Sequence, residues 1–356
     1  MNVEEFLRAA TEASGVSGHE ASVAHIYEEA LRGYVDDLRR DSLGNCIAFK
    51  AGDGKPPRPR IMFAAHMDEI GLMVTKIEER GFLRFTTVGG IDPRTLVGAE
   101  VTVHGRERLR GIIGTRPPHL IPEEERTRAY KLEDLFIDVG IDGDRAEQLV
   151  SVGDVVTLNR PLLKLCSDRL AGKALDDRAG VAALVGAMEH LRRIRHEADI
   201  FAVATVQEEV GLRGAVVSSY GLEPDLGVAV DVGFGDMPGL GEHETIKLGK
   251  GPAIVRGGTV HPRLYERLVE TAKQHGVKWQ REVEPAGSGT DAWAIQVSRS
   301  GVPTAVLSIP LRFMHTSVET LSTSDVRETS RLLALFAAGV DAEFVRGFEY
   351  DLTTAQ

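Results

Sequence analysis

Cysteine is scarce in this 356-residue chain: only Cys46 and Cys166 are present, far apart and outside any CxxC spacing. That argues against a disulfide framework or a thiolate metal site, and makes a reducing cytoplasm the expected compartment. Positive charge is in deficit as well, with 42 Lys and Arg against 53 Asp and Glu, a net charge of −11. Nucleic acid and anionic membrane surfaces are therefore poor candidate partners. No apolar run approaches membrane-spanning length. The first residues, "MNVEEFLRAATEASG", are acidic and amphipathic rather than basic and then apolar, so no signal peptide is expected. Internal repeats and low-complexity tracts are missing too.

What remains is the composition of a soluble globular protein, 42% hydrophobic and 27% charged, with length enough for one large α/β domain or two domains. The start alternates helix and strand signals. Apolar residues recur at helical spacing over 2–14 (Val3, Phe6, Leu7, Ala10) and 19–34 (Val23, Ile26, Tyr27, Leu31), with the breaker "GVSG" between them. "NCIAFKA" reads as a strand and "RIMFAAH" as a buried one. From about residue 70 to about 164 the texture changes to short β-like pieces, "GFLRFTTV", "AEVTVHG", "LRGIIGT" and "DVVTLN", between Gly, Pro and charged turns. Only "KLEDLFIDVG" there is predicted as a short helix. That pattern suits a small β-barrel or sandwich inserted into a larger domain.

After residue 170 the alternation returns. "DDRAGVAALVGAMEHLRRIR" is predicted as an amphipathic helix, acidic at its start and basic at its end. "DIFAVATV", "LGVAVDV" and "TAVLSIP" read as buried parallel strands, with helices at about 261–275 and 289–299. A last helix, "SDVRETSRLLALFAAGVD", is expected to be capped by Ser324. The resulting division is an α/β domain over 1–69 and 165–356, split by a β-rich insert over 70–164.

Ligands of open α/β sheets bind beyond the carboxyl ends of the strands. There the sequence places His66 and Asp68 after "IMFAA", Glu208 and Glu209 after "FAVATVQ", Asp231 after "LGVAV", and His315 a few residues beyond "AVLSIP". Asp176 and Asp177 open the long helix. Each has a bland reading: a satisfied core histidine, a helix cap at Asp176, a turn residue at Asp231, a solvated carboxylate in the Glu pair. Together they are harder to dismiss. Acids and imidazoles gather on one sheet edge with no matching set of Lys or Arg, and oxygen and nitrogen donors without thiolate suit Zn, Co or Mn. Five ligands with one shared carboxylate fit the arithmetic of a two-metal site.

The stretches "AAHMDEIGLMV", "GKALDDRAG", "VQEEVGLRGA", "VAVDVG", "GSGTDAWAIQVSRSGVPT" and "IPLRFMHTSVE" together resemble the M42 family of dinuclear metallo-aminopeptidases, which includes glutamyl and deblocking aminopeptidases and the tetrahedral (TET) peptidases. The resemblance runs over essentially the whole chain. It implies a phosphorylase/hydrolase-like mixed sheet flanked by helices, with an inserted PDZ-like small β-barrel used for dimerisation, and a tetrahedral dodecamer of such dimers acting on peptides. It also implies that His66 and Asp231 bind one divalent ion, that Glu209 and His315 bind another, and that Asp176 bridges them. Asp68 would orient His66, Glu208 would be the general base for a metal-bridging water, and a cis peptide would join Asp176 to Asp177. Zn or Co, with Mn as a further option, fits the ligand set.

The chain departs from the family's usual pattern at Phe313, where many relatives have Tyr, and in "HTSVE" for "HSPVE". Neither change falls on an implied ligand. The expected activity is removal of N-terminal residues from peptides. The alternatives are a two-metal dipeptidase or deacylase of the wider group, and a glycoside hydrolase, as some relatives are labelled.

Overall fold

The computed structural model describes residues 1–120, 122–123 and 128–348. Two helices, α1 (Val3–Glu12) and α2 (Ala21–Leu31), lead into strands β1 (Asp37–Arg40), β2 (Cys46–Lys50) and β3 (Arg60–His66). The apolar spacing read from the sequence is the reason: Val3, Phe6, Leu7 and Ala10 line the buried face of α1, and Asn2 caps it by accepting the amide of Glu4. The short strand β1 carries charged residues on both faces and gave no apolar signal.

Six strands between residues 71 and 158 close into an antiparallel barrel, ordered β4-β5-β8-β7-β6-β9. They are β4 (Gly71–Ile77), β5 (Leu83–Val88), β6 (Glu100–His104), β7 (Arg108–Thr115), β8 (Leu135–Asp138) and β9 (Val155–Leu158). Their core is separate from that of the large sheet and includes Leu72, Leu83, Val101, Ile113 and Ile137. The stretch "KLEDLFIDVG" is not a helix. A single 3-10 turn over Leu132–Asp134 is followed by β8, because Leu135 and Ile137 alternate into the barrel core. The helix of this region is instead α3 (Gly143–Leu149), capped by Asp142.

The chain then forms β10 (Leu163–Lys164), β11 (Arg169–Gly172), α4 (Leu175–Leu191), β12 (Asp199–Thr205), α5 (Arg213–Leu222) and β13 (Leu226–Phe234). Next come β14 (Ala253–Gly257), α6 (Pro262–His275), β15 (Gln280–Glu284), α7 (Asp291–Gln296), β16 (Thr304–Leu311), β17 (Glu319–Ser322), α8 (Thr323–Ala338) and α9 (Ala342–Arg346). Eight strands make one mixed sheet, β1-β2-β12-β3-β13-β16-β14-β15, whose centre, β12, β3, β13 and β16, is parallel. Residues of α1, α2, α4 and α8 share the main core, while Ala215, Leu222, Ala294 and Ile295 of α5 and α7 pack on the other face. No helix among the described residues is long and apolar enough to cross a membrane.

Two helix expectations need correction. Helix α4 is not amphipathic: nearly every residue from Leu175 to Met188 is buried, because it lies between the sheet and its neighbouring helices. Helix α8 is capped by Ser322, two residues before Ser324, whose amide donates to the Ser322 hydroxyl. Ser322 also ends β17 and bonds to the Asp168 carboxylate, so a tertiary contact decides which serine caps.

Candidate metal centre

Parallel strands β3 and β12 end together, with His66 opposite Thr205, while β13 runs on past β3 and carries Asp231 within it rather than in a turn. The exposed edge so formed collects the acids. His66 Nε2 lies 3.1 Å from Asp176 Oδ1, and His315 Nε2 lies 3.3 Å from both Asp176 Oδ2 and Glu209 Oε1. One carboxylate thus points one oxygen at each imidazole. Donor atoms of His66, Asp176 and Asp231 all fall within 4.8 Å of one another, and so do those of Asp176, Glu209 and His315. The peptide between Asp176 and Asp177 is cis. Asp176 is not the helix cap, since both aspartates have non-helical backbone and Asp177 Oδ1 accepts the Gly180 amide at 2.9 Å.

Glu208 and Glu209 lie in a turn beyond the end of the strand. Strand β12 stops at Thr205, Gln207 takes a left-handed φ of 56°, and the Glu208 carbonyl accepts the amides of Gly211 and Leu212. The amides of Glu208 and Glu209 donate to the two oxygens of the buried Asp68 carboxylate, at 3.0 and 3.2 Å. Asp68 also accepts from Ser17 Oγ at 2.6 Å and stands 3.4 Å from His66 Nδ1. It therefore ties the imidazole to the glutamate turn.

Three contributors escaped the sequence reading. Ser17 sits in "GVSG", which signals only a chain break. Glu319, in "HTSVE", is fully buried and accepts the amides of Asp176 (3.1 Å) and His315 (3.0 Å), clamping two of the gathered residues. Gly90 lies against His315: a Cβ there would stand 3.1 Å from His315 Nδ1, so a side chain would crowd the ring. A glutamate four residues past a candidate ligand was the one available signal for Glu319.

The electrostatics show an excess of negative charge. Burial, then the carboxylates of Asp231, Asp291 and Glu209, pushes Glu208 up to about 9 despite His66 3.9 Å away. Burial likewise raises Glu209 and raises Asp231 well above the ordinary carboxylate range. Bonds to Asp176 and Glu209 lift His315 to about 11. Burial opposes charge on His66, but Asp176 and Asp68 hold its pKa well above the usual imidazole value. The nearby buried cations, Lys173 and Arg178, are both paired with Glu69. Two sets of mixed N and O donors sharing one carboxylate, in a site short of positive charge, fit a pair of divalent cations.

The sequence profile of the M42 glutamyl aminopeptidase family matches residues 44–332. The chain belongs to this family. It is 37% identical to the lysyl aminopeptidase of Pyrococcus furiosus, over 92% of this chain and 94% of that one. Among solved structures, the TET aminopeptidase of the marine sediment archaeon Thaumarchaeota archaeon SCGC AB-539-E09 superimposes with a TM-score of 0.92 at 35% identity, covering 97% of this chain and 98% of that one. The TET1 peptidase of Pyrococcus horikoshii, which can assemble into a tetrahedron or a large octahedral shell, gives a TM-score of 0.83 at 34% identity, over 95% and 100% of the two chains. Membership in the M42 family supports a peptidase function, and the mixed sheet with its closed barrel is the TET peptidase fold.

Proposed function

We propose that this M42 protein is a dinuclear metal-dependent aminopeptidase, and the observation that carries the reading is the pair of donor groups meeting at Asp176 beside Glu208. His66, Asp176 and Asp231 would hold one divalent ion, and Asp176, Glu209 and His315 the other. When bound, Zn, Co or Mn would supply Lewis acidity, acidifying water and polarising the scissile carbonyl.

The chain's own residues do the rest. Glu208, buried within 3.9 Å of His66 at the edge of the donor groups, is the proton acceptor: its carboxylate takes a proton from the attacking water and returns it to the leaving amine. Asp68 fixes both the His66 ring and the turn that aims Glu208, the second function being one that orientation of His66 alone would not require. The free α-amine of a peptide is attracted by the same surplus of carboxylates that gathers the ions, which favours cleavage at the N-terminus.

We assign the domains as 1–69 with 165–356 for catalysis and 70–164 for self-association, with dimers building a tetrahedral dodecamer as in the TET relatives. The test is a panel of aminoacyl chromogenic amides against N-acylated amino acids, on enzyme stripped with chelator and reloaded with each ion. Cleavage of the free-amine substrates alone, lost on stripping and restored on reloading, supports the reading. Cleavage of the N-acylated set instead makes it a deacylase. Light scattering on the same sample reads the assembly.

A further inference from the structure

A groove of about 440 Å³ lies between the barrel and the large domain, and none of the donor residues lines it. One wall is the outward face of three barrel strands. Thr102 on β6 is the register partner of Arg110 on β7 and of Thr157 on β9, and His104 is the partner of Arg108. Alternation turns Val101 and Val103 into the barrel core, so Thr102 and His104 face outward with their partners. The other walls come from the end of α1, from Arg160 in the link leaving β9, and from Lys173 ahead of α4. Thr157 and Lys173 are 4% and 5% exposed, so the groove has a buried polar floor.

Charge in this groove is out of balance. Glu12 is engaged by Arg8 at 3.6 Å and by the Leu162 amide, and Lys173 is engaged by Glu69. Among the described residues, the guanidiniums of Arg108, Arg110 and Arg160 have no ion pair and no hydrogen bond. Glu100 is the one other acid lining the groove, so three guanidiniums face one carboxylate. This surplus of positive charge sits on a chain whose net charge is −11. Arg108 and Arg110 stand two residues apart on one strand face, roughly 7 Å, close enough to repel each other and to share one anion.

A guanidinium presents its N–H groups as a fork that fits two oxygens of a carboxylate or a phosphate. A carboxylate has one charge and two oxygens in a plane. A phosphate monoester has close to two charges at neutral pH and three oxygens aimed in different directions, which suits forks and a threonine hydroxyl arriving from several walls. The groove also has room for more than a single phosphate group.

We propose that this groove binds a phosphate-bearing small molecule, held by the forks of Arg108, Arg110 and Arg160 over the floor at Thr157 and Lys173.

The test is isothermal titration calorimetry of the ion-loaded protein with fructose 1,6-bisphosphate, inorganic phosphate and succinate, at one ionic strength set with sodium chloride. The wild type is expected to bind one bisphosphate per chain with a Kd below about 1 mM, inorganic phosphate more weakly, and succinate not measurably. Arg108→Gln and Arg110→Gln should each weaken bisphosphate binding about tenfold, the loss of one charge-assisted contact. The exposed control Arg39→Gln should leave it unchanged, with thermal unfolding as the check on folding. Inorganic phosphate binding as tightly as the bisphosphate, with the same loss in the variants, supports the site with free phosphate as its source. No saturable binding, or succinate binding as tightly as the bisphosphate, overturns the proposal. Equal bisphosphate affinity in the wild type and both folded variants also overturns it, since the anion would then sit on the bound ions. Light scattering that shows Arg110→Gln losing self-association, with no bisphosphate bound by the wild type, assigns the groove to a second copy and overturns it too.

Discussion

Replacing Glu69 by Gln should destabilise the protein more than almost any other isosteric change. The Glu69 carboxylate is fully buried and accepts from Lys173 Nζ (2.6 Å), Arg178 Nη2 (3.1 Å) and the Gly15 amide (3.0 Å). The two cations come from the approach to α4 and its first turn, and Glu69 from the segment three residues past the end of β3, so the triad joins the segments that carry Asp176 and Asp68. Breaking a buried ion pair by removing one partner typically costs about 3–5 kcal/mol, because the charge left behind is uncompensated. Lys173 has an escape: burial already lowers its pKa, and without Glu69 it can shed its proton. Arg178 cannot, and its other bonds go to the carbonyls of Ala10, Ala13 and Met67.

The expected loss is therefore about 3 kcal/mol at neutral pH, the low end of that range. At roughly 2 °C per kcal/mol for a chain of this size, the midpoint should fall by about 6 °C. Denaturant and thermal unfolding of Glu69→Gln beside the exposed control Glu107→Gln would measure it. The sign with pH follows from Lys173: its folded pKa is depressed, so the unfolded chain binds the extra proton and the variant's stability should rise with pH below the ordinary lysine value. A loss under about 1 kcal/mol, with no such rise, refutes the claim that the triad is dry and charged.

Glu319→Gln keeps the shape of the clamp but sets an amide donor against the Asp176 or His315 amide; chelator competition should show ion affinity weakened about 10–100-fold, and an unchanged affinity would reject the clamp. His104, half-buried and bonded to Thr157, has its pKa lowered by burial and then by Arg108. Its neutral form thus contributes stability present above the unfolded value of about 6.5 and lost as pH falls toward the folded one. His104→Gln should flatten the stability profile between about pH 5 and 7, and a profile parallel to the wild type would count against it.

The sheet was legible because its central strands are unbroken apolar runs, which only burial on both faces explains: Arg60–His66, Leu226–Phe234 and Thr304–Leu311 match their quoted stretches. The gathering of His66, Asp176, Glu208, Glu209, Asp231 and His315 followed from the strand ends and the family motifs, though their chemical roles rest on the proposal above. What was not legible depends on partners distant in sequence. Ser322 outranks Ser324 as a cap through Asp168, 154 residues away. Nothing in "HMDEIG" singles out Glu69, whose partners are Lys173, 104 residues on, and Arg178. The turn that carries Glu208 and Glu209 is held by Asp68, 140 residues before Glu208, and no local pattern announces it.

The most direct test of the dinuclear aminopeptidase account is turnover of Glu208→Gln at verified ion content. The account predicts two divalent ions per chain, as in the wild type, with kcat on an aminoacyl amide reduced by about 10²–10⁴-fold, the range a general base supplies. Near-wild-type turnover with both ions bound would contradict it.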